Sequence, residues 1–447
     1  MAVLADDSHR RWAMLLKVIS IVLGTLLLPR IIEGQVQSQA IFVTQAPRAE
    51  RVLSASASPL PLSTPEEEGF SKARLARLDD AMVALVRDGD HTGVIVLVAR
   101  NGRIVDWRAW GLRDLETKLP MEKDTLCRIY SMTKVITSVA ALALYEEGRF
   151  ALNDPVQKYI PELKGMQVFA GGSPESPELV PAKSNITIKH LMTHTSGLIY
   201  PFGDSPVEKV WSKANLFEKP YSVTLRDWVA RLRELPLASQ PGAAWHYGVN
   251  SDVLGYLIEV VSGMPFDRFV EKRVLLPLLM SDTHFVLPEE KKSRAAGVYR
   301  KRDGQDELVP YPEGMPPLGG MALWSTPGDY ARFAQMLLNG GQLDGVRILG
   351  RKTVELMTAN HLTHTDRPTT TPGGSEGFGL GGAVRIDLAR GNSLGSVGSF
   401  GWSGAASTWF RIDPKEKLLL LIFQQRMPSE AAIYLRFSNL VYQALVD

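Results

Sequence analysis

Ser131-Met132-Thr133-Lys134 is the one S-x-x-K spacing in the chain. On a helix, residues three apart share a face, so the lysine amine reaches the serine hydroxyl. A serine hydroxyl is a weak nucleophile until a neighbouring base takes its proton, and burial favours the neutral amine that such a base must be. The first turn of a helix also places partial positive charge where an oxyanion would form. The chemistry this pair offers is acyl transfer through Ser131. In a chain so rich in serine, one such spacing also arises by chance, so its surroundings must decide.

Competing sites are weaker. Gly373-Gly374-Ser375-Glu376-Gly377 and Gly391-Asn392-Ser393-Leu394-Gly395 both fit G-x-S-x-G. A nucleophile elbow needs a strand before the serine and a helix directly after it, and no helical pattern follows either one. With 38 glycines in the chain, both read as chance matches. His190 and His194 stand four apart, but the glutamate that a zinc protease places after the first histidine is missing. His361 and His364 lie in a polar stretch without acidic companions. The lone Cys127 excludes a disulfide framework and any multi-cysteine metal site. No metal or organic cofactor is expected.

These residues need elements to position them. Leu75, Leu78, Met82, Leu85 and Val86 recur at helical spacing and stop before Gly89. Val94–Val98 and Ile104–Trp110 flank Asn101-Gly102, a dipeptide that favours a type I′ hairpin turn. A helix is predicted over Ser131–Glu147, closed by Gly148, with the serine at its start. Residues 152–317 read as helical and loop-rich. A further amphipathic helix is predicted over Asp329–Leu338, short strand-like pieces over Pro372–Gly404, and a second hairpin over Thr408–Ile412 and Leu418–Gln424. A last helix is predicted over Ser429–Leu445. Strands with helices at both ends and helices between imply one α/β domain, 66–151 with 318–447, interrupted by a helical domain over 152–317.

The 447 residues are 45% hydrophobic and 22% charged, ordinary for a chain that buries a core. Fifty basic against 48 acidic residues leave a formal charge of +2, without the basic excess that binding phosphates requires. Nucleic acid is therefore not an expected partner, and nothing points to an obligate protein partner. Arg10, Arg11 and Lys17 precede an apolar run, Val18–Leu28, that ends at Pro29. Such a run matches the roughly 7–15 residues of a signal-peptide core better than the ~20 of a spanning helix. Small residues near Ala40 suit cleavage. Residues 1–40 thus read as a signal peptide or anchor and 41–65 as a flexible lead-in. The protein is expected to be exported (periplasmic or secreted) or anchored to a membrane through its N-terminal segment.

The wider sequence around the pair is what decides. Cys127-Arg128-Ile129-Tyr130-Ser131-Met132-Thr133-Lys134-Val135-Ile136-Thr137-Ser138 resembles the active-site segment of serine β-lactamase-like proteins. Asp154–Pro161, Ile188–Leu198 and Gly340-Gly341 resemble further signatures of that superfamily, and the resemblance runs from about Pro65 to the carboxyl end. It is strongest to class C β-lactamases and family VIII carboxylesterases. It implies an antiparallel sheet flanked by helices, with a mostly helical insertion.

The resemblance also implies a proton-relaying tyrosine. Trp245-His246-Tyr247-Gly248-Val249-Asn250-Ser251-Asp252 puts Tyr247 in that position. Class C β-lactamases carry Tyr-x-Asn, whereas here Val249 holds the third place and Asn250 comes one later. Penicillin-recognising enzymes have Lys-Thr-Gly on the strand opposite the serine. This chain has none, and Gly401-Trp402-Ser403-Gly404-Ala405 resembles the Trp-x-Gly form of the esterases. By that resemblance Trp402, Ser403 and Gly404 bind substrate, and the N–H groups of Ser131 and Ala405 form the oxyanion hole. An indole in place of the lysine favours neutral esters over carboxylated β-lactams. The expected function is therefore a serine carboxylesterase on small ester substrates with short acyl chains, with Ser131 as nucleophile and Lys134 and Tyr247 as proton relay. The alternatives are a β-lactamase or D-alanyl-D-alanine carboxypeptidase, a transesterase, and a silent penicillin-binding-like envelope protein.

Overall fold

A computed structural model describes residues 59–218, 224–310, 314–363, 365, 370 and 373–447. The leader expected over 1–40, most of the lead-in and His364 lie outside the described residues. Among those described, no helix is long and apolar enough to cross a membrane. The described end of the lead-in is tied to the body: Leu60 is buried and Leu62 bridges to Ile104.

The predicted helix near the start is α1, Lys72–Arg87, capped by the Ser71 hydroxyl, which accepts from the Arg74 amide. The hairpin follows as β1, Gly93–Arg100, and β2, Arg103–Gly111. Asn101 and Gly102 take φ of 53° and 79°, the pair of left-handed residues a type I′ turn demands. All eight residues of β1 are buried because both of its faces are covered. Val94, Val96 and Val98 point into one hydrophobic core and Ile95, Leu97 and Ala99 into a second.

The next major helices are α2, Thr133–Glu146; α3, Asn250–Ser262; and α4, Pro327–Leu338. Twelve consecutive residues of α2, Thr133–Leu144, are buried, so it is a central helix with no solvent face. The sheet resumes with β3, Glu376–Phe378; β4, Ala383–Arg385; β5, Phe400–Ser403; β6, Trp409–Asp413; and β7, Leu418–Gln424. The chain closes on α5, Ala431–Tyr442.

The seven strands form one antiparallel sheet in the order β3-β4-β5-β6-β7-β1-β2. Helices α1 and α5 cover one face, with Leu418, Leu420 and Ile422 of β7 beneath them. Helices α2 and α4 cover the other, with Leu419, Leu421 and Phe423. Between α2 and α4 the chain is mainly short helices and loops. It also holds two hairpins that the hydrophobic pattern does not announce, Gln167–Gly172 with Pro177–Pro181 and Val298–Arg302 with Gln305–Val309.

Candidate active site

Ser131 is set by a strained backbone. After the two-residue strand Cys127–Arg128, Tyr130 adopts φ 42°, which non-glycine residues take rarely and at some cost. The chain then makes a 3₁₀ turn, Tyr130–Met132, and continues directly into α2. Ser131 therefore lies in the turn before the helix and Lys134 in the helix's first turn. The loop after Pro317 clamps this end of α2: the Thr137 hydroxyl donates to the Gly319 carbonyl at 2.7 Å, and the Leu323 amide donates to the Thr133 hydroxyl at 3.2 Å.

Lys134 is wholly buried. Its Nζ lies 3.1 Å from Ser131 Oγ, 3.0 Å from Tyr200 Oη and 2.8 Å from the Gly320 carbonyl. All three hydrogens of an ammonium are thereby satisfied. Once neutral, the same nitrogen presents a lone pair to the Ser131 hydroxyl. The Gly320 peptide links this lysine to a carboxylate, because its N–H donates to Asp252 Oδ1 at 2.7 Å. Burial pushes the Asp252 carboxyl up to about 6, opposed by the Lys134 charge and the Gly320 N–H.

Tyr247 packs its ring 4.7 Å from Lys134 Nζ, and its hydroxyl accepts from Trp402 Nε1 at 3.1 Å. Among the described residues no hydrogen bond joins that hydroxyl to Ser131 or Lys134. The phenol that does reach the lysine is Tyr200, two residues beyond the Ile188–Leu198 segment and missed from the sequence. Tyr200 is buried, and that burial, with Asp252 and Tyr247 nearby, pushes its hydroxyl well above the ordinary phenol range. It keeps its proton and acts as a fixed acceptor for the lysine. Tyr247 is only half-buried and faces the cleft.

Strand β5 runs beside Ser131. A Cβ on Gly404 would collide with the Ile129 carbonyl and the Thr408 hydroxyl, so only glycine allows this approach. Ala405 follows in the turn that joins β5 to β6. Trp402 stands in the cleft with its rings 5.4 Å from Tyr247 and 5.1 Å from Phe378. On the other side Tyr200 stacks on Phe202 at 5.3 Å, and Phe202 meets Phe217 at 5.6 Å. Phe202 is 70% exposed, which makes it an apolar rim rather than core.

The remaining candidates have other tasks. His190 Nδ1 accepts from the Thr187 amide in a capping box, and burial lowers its pKa to about 4. His194 is buried beneath Tyr247. Its Nδ1 lies 3.0 Å from Asn250 Nδ2 and accepts from the Gly248 amide at 3.3 Å, and burial and the Lys134 charge keep the ring neutral. Asn250, out of lactamase register, is a wholly buried scaffold residue that also donates to the Leu198 carbonyl at 3.1 Å. Nε2 of His361 lies 2.8 Å from the Leu356 carbonyl. Ser375 leads into β3 and Ser393 follows a short 3₁₀ turn, with no helix after either.

A β-lactamase family model matches residues 78–442. The chain belongs to the β-lactamase family. Esterase EstB of Burkholderia gladioli is 31% identical over 366 residues, covering 75% of this chain and 86% of that one. Acyltransferase mokF of Monascus pilosus is 30% identical over 384 residues, covering 78% and 91%. Among solved structures, EstCE1, a hydrolase with promiscuous acyltransferase activity, superposes with a TM-score of 0.71 at 25% identity, covering 83% of this chain and 99% of that one. The family, the β-lactamase-like fold and the kinship with serine hydrolases and acyltransferases are thus established.

Proposed function

We propose that the protein is a serine carboxylesterase for neutral, apolar esters. The observation that carries this reading is the enclosed Lys134 amine at 3.1 Å from Ser131 Oγ, beside a Tyr247 whose hydroxyl accepts from the indole of Trp402; by the sequence resemblance that indole stands where penicillin-recognising enzymes carry a lysine. Ser131 Oγ attacks the ester carbonyl and its proton passes to neutral Lys134. The N–H groups of Ser131 and Ala405 hold the oxyanion. The proton travels on to the leaving alkoxide through Tyr247, the one of the two tyrosines open to the cleft. Water then takes the alcohol's place, and the reverse proton path releases the acid.

Acyl transfer to an alcohol is the second reading. The exposed Phe202 and its neighbours offer an apolar rim on which an acceptor alcohol could rest, and mokF is a relative. Turnover of p-nitrophenyl butyrate beside nitrocefin tests the first reading. The ester should exceed the lactam by several orders of magnitude in kcat/KM, and equal efficiencies would refute selection by Trp402. The same ester assayed with added n-butanol separates the readings: hydrolysis leaves butyrate, and transfer leaves butyl butyrate.

A further inference from the structure

Strand β5 has a second side. On the sheet face covered by α5, a cavity of about 440 Å³ lies among β3–β6, the loop around 390–395 and α5. That volume is within the ~300–1,000 Å³ of small-molecule sites. Gly401, Trp402 and Ser403 all contribute to its wall, so it backs onto the strand, and touches the residue, that faces the catalytic cleft.

Two guanidiniums meet one carboxylate there. Glu376 accepts from Arg385 Nε at 3.0 Å and from Arg411 Nη2 at 2.9 and 3.2 Å, and all three residues are only 8% exposed. Glu376 thus answers one of the two guanidinium charges. Of the nearby acids, Asp387 pairs with Arg390 at the rim, while the wholly buried Asp413, two residues from Arg411 on the same face of β6, accepts only from neutral donors, among them the Tyr442 hydroxyl at 2.6 Å, so its charge offsets one guanidinium. Arg385 Nη1 donates to the Ser393 hydroxyl at 3.0 Å, while Arg411 Nη1 makes only long contacts of 3.5 Å to Ser399. Arg385 and Arg411 both line the cavity, and neither holds a sealed nitrogen that lacks an acceptor. A guanidinium edge that faces a cavity offers its planar fork to a carboxylate.

The mouth is apolar. Leu394 and Leu435 are 49% and 41% exposed at its edge, and Trp409 lies within the wall. Ala431, the first residue of the twelve-residue α5, adds a helix N-terminus to the lining. We infer that this cavity binds an amphipathic monocarboxylate, its head on Arg385 and Arg411 and its hydrocarbon chain along Leu394 and Leu435.

Calorimetric titration of the full chain with decanoate tests this, beside decan-1-ol and inorganic phosphate. Saturable one-to-one binding of decanoate is expected, at least tenfold tighter than either control. Arg385→Met and Leu435→Glu should each weaken it at least tenfold. If Arg385→Met fails to fold, Leu435→Glu, a change at an exposed helix position, carries the test. No saturable binding, equal binding of decanol or phosphate, or affinity unmoved by the variants would overturn the inference. Decanoate lodged in the catalytic cleft instead would inhibit ester hydrolysis and ignore both variants, which also overturns it. The titration reads binding and not turnover, so its outcome is independent of the esterase reading.

Discussion

Lys134 donates to one serine, one tyrosine and one carbonyl, and the two tyrosines around it are not equivalent. Tyr200 is buried and holds its proton, whereas Tyr247 reaches the cleft. Lys134→Arg keeps a charge that cannot be released, and should lower kcat by about 10²–10⁴ in a normally folded protein. Tyr247→Phe should lose a similar amount. Tyr200→Phe removes only an acceptor from the lysine, at about 1–3 kcal/mol. Its loss should be smaller. Equal losses in the two phenylalanine variants would contradict this division. Ser131, Lys134 and Tyr247 were legible because each sits in a local motif. Tyr200 was not, because its loop brings it to Lys134 from 66 residues away.

At the scale of elements, β5 and α3 hold the site by close approach. Gly404→Ala would press a methyl group into the Ile129 carbonyl beside the nucleophile. It should lower stability by about 1–3 kcal/mol and disturb ester turnover, as thermal unfolding and initial rates would show. On α3, Asp252 carries a pH signature. Its carboxyl is raised from 3.8 to about 6 in the fold, so the folded state binds the proton more tightly than the unfolded chain. Stability from this group is present below pH 4 and is lost as pH rises toward 6. Denaturant titrations should show wild type losing up to about 3 kcal/mol relative to Asp252→Asn across that interval. Parallel pH profiles would refute it.

The hairpin Gly93–Gly111 and the helices were legible through turn chemistry and periodicity. Asp303-Gly304, with φ of 51° and 81°, uses the same turn chemistry as Asn101-Gly102, yet its exposed flanks carry no apolar alternation. Strands β3 and β4, three residues each, are too short to leave a period.

At the scale of the whole described body, β1 pairs with β7 from Val94↔Gln424 to Arg100↔Leu418. That pairing joins the two halves of the α/β core across more than 300 residues, a distance no local pattern encodes; the order of the predicted elements put 66–151 with 318–447, and the family resemblance implied the antiparallel sheet. Helix α2 packs against α3 and shares one hydrophobic core with the sheet, and Lys134 within it is wholly buried. The central claim is that this buried geometry makes Ser131 a covalent nucleophile. The most direct measurement is peptide mapping by mass spectrometry after acid quench of turnover on p-nitrophenyl butyrate. A butyryl group on the Ser131 peptide, absent together with activity in Ser131→Ala, is the predicted result. A butyryl group on Ser375 or Ser393, or undiminished turnover by Ser131→Ala, would contradict it.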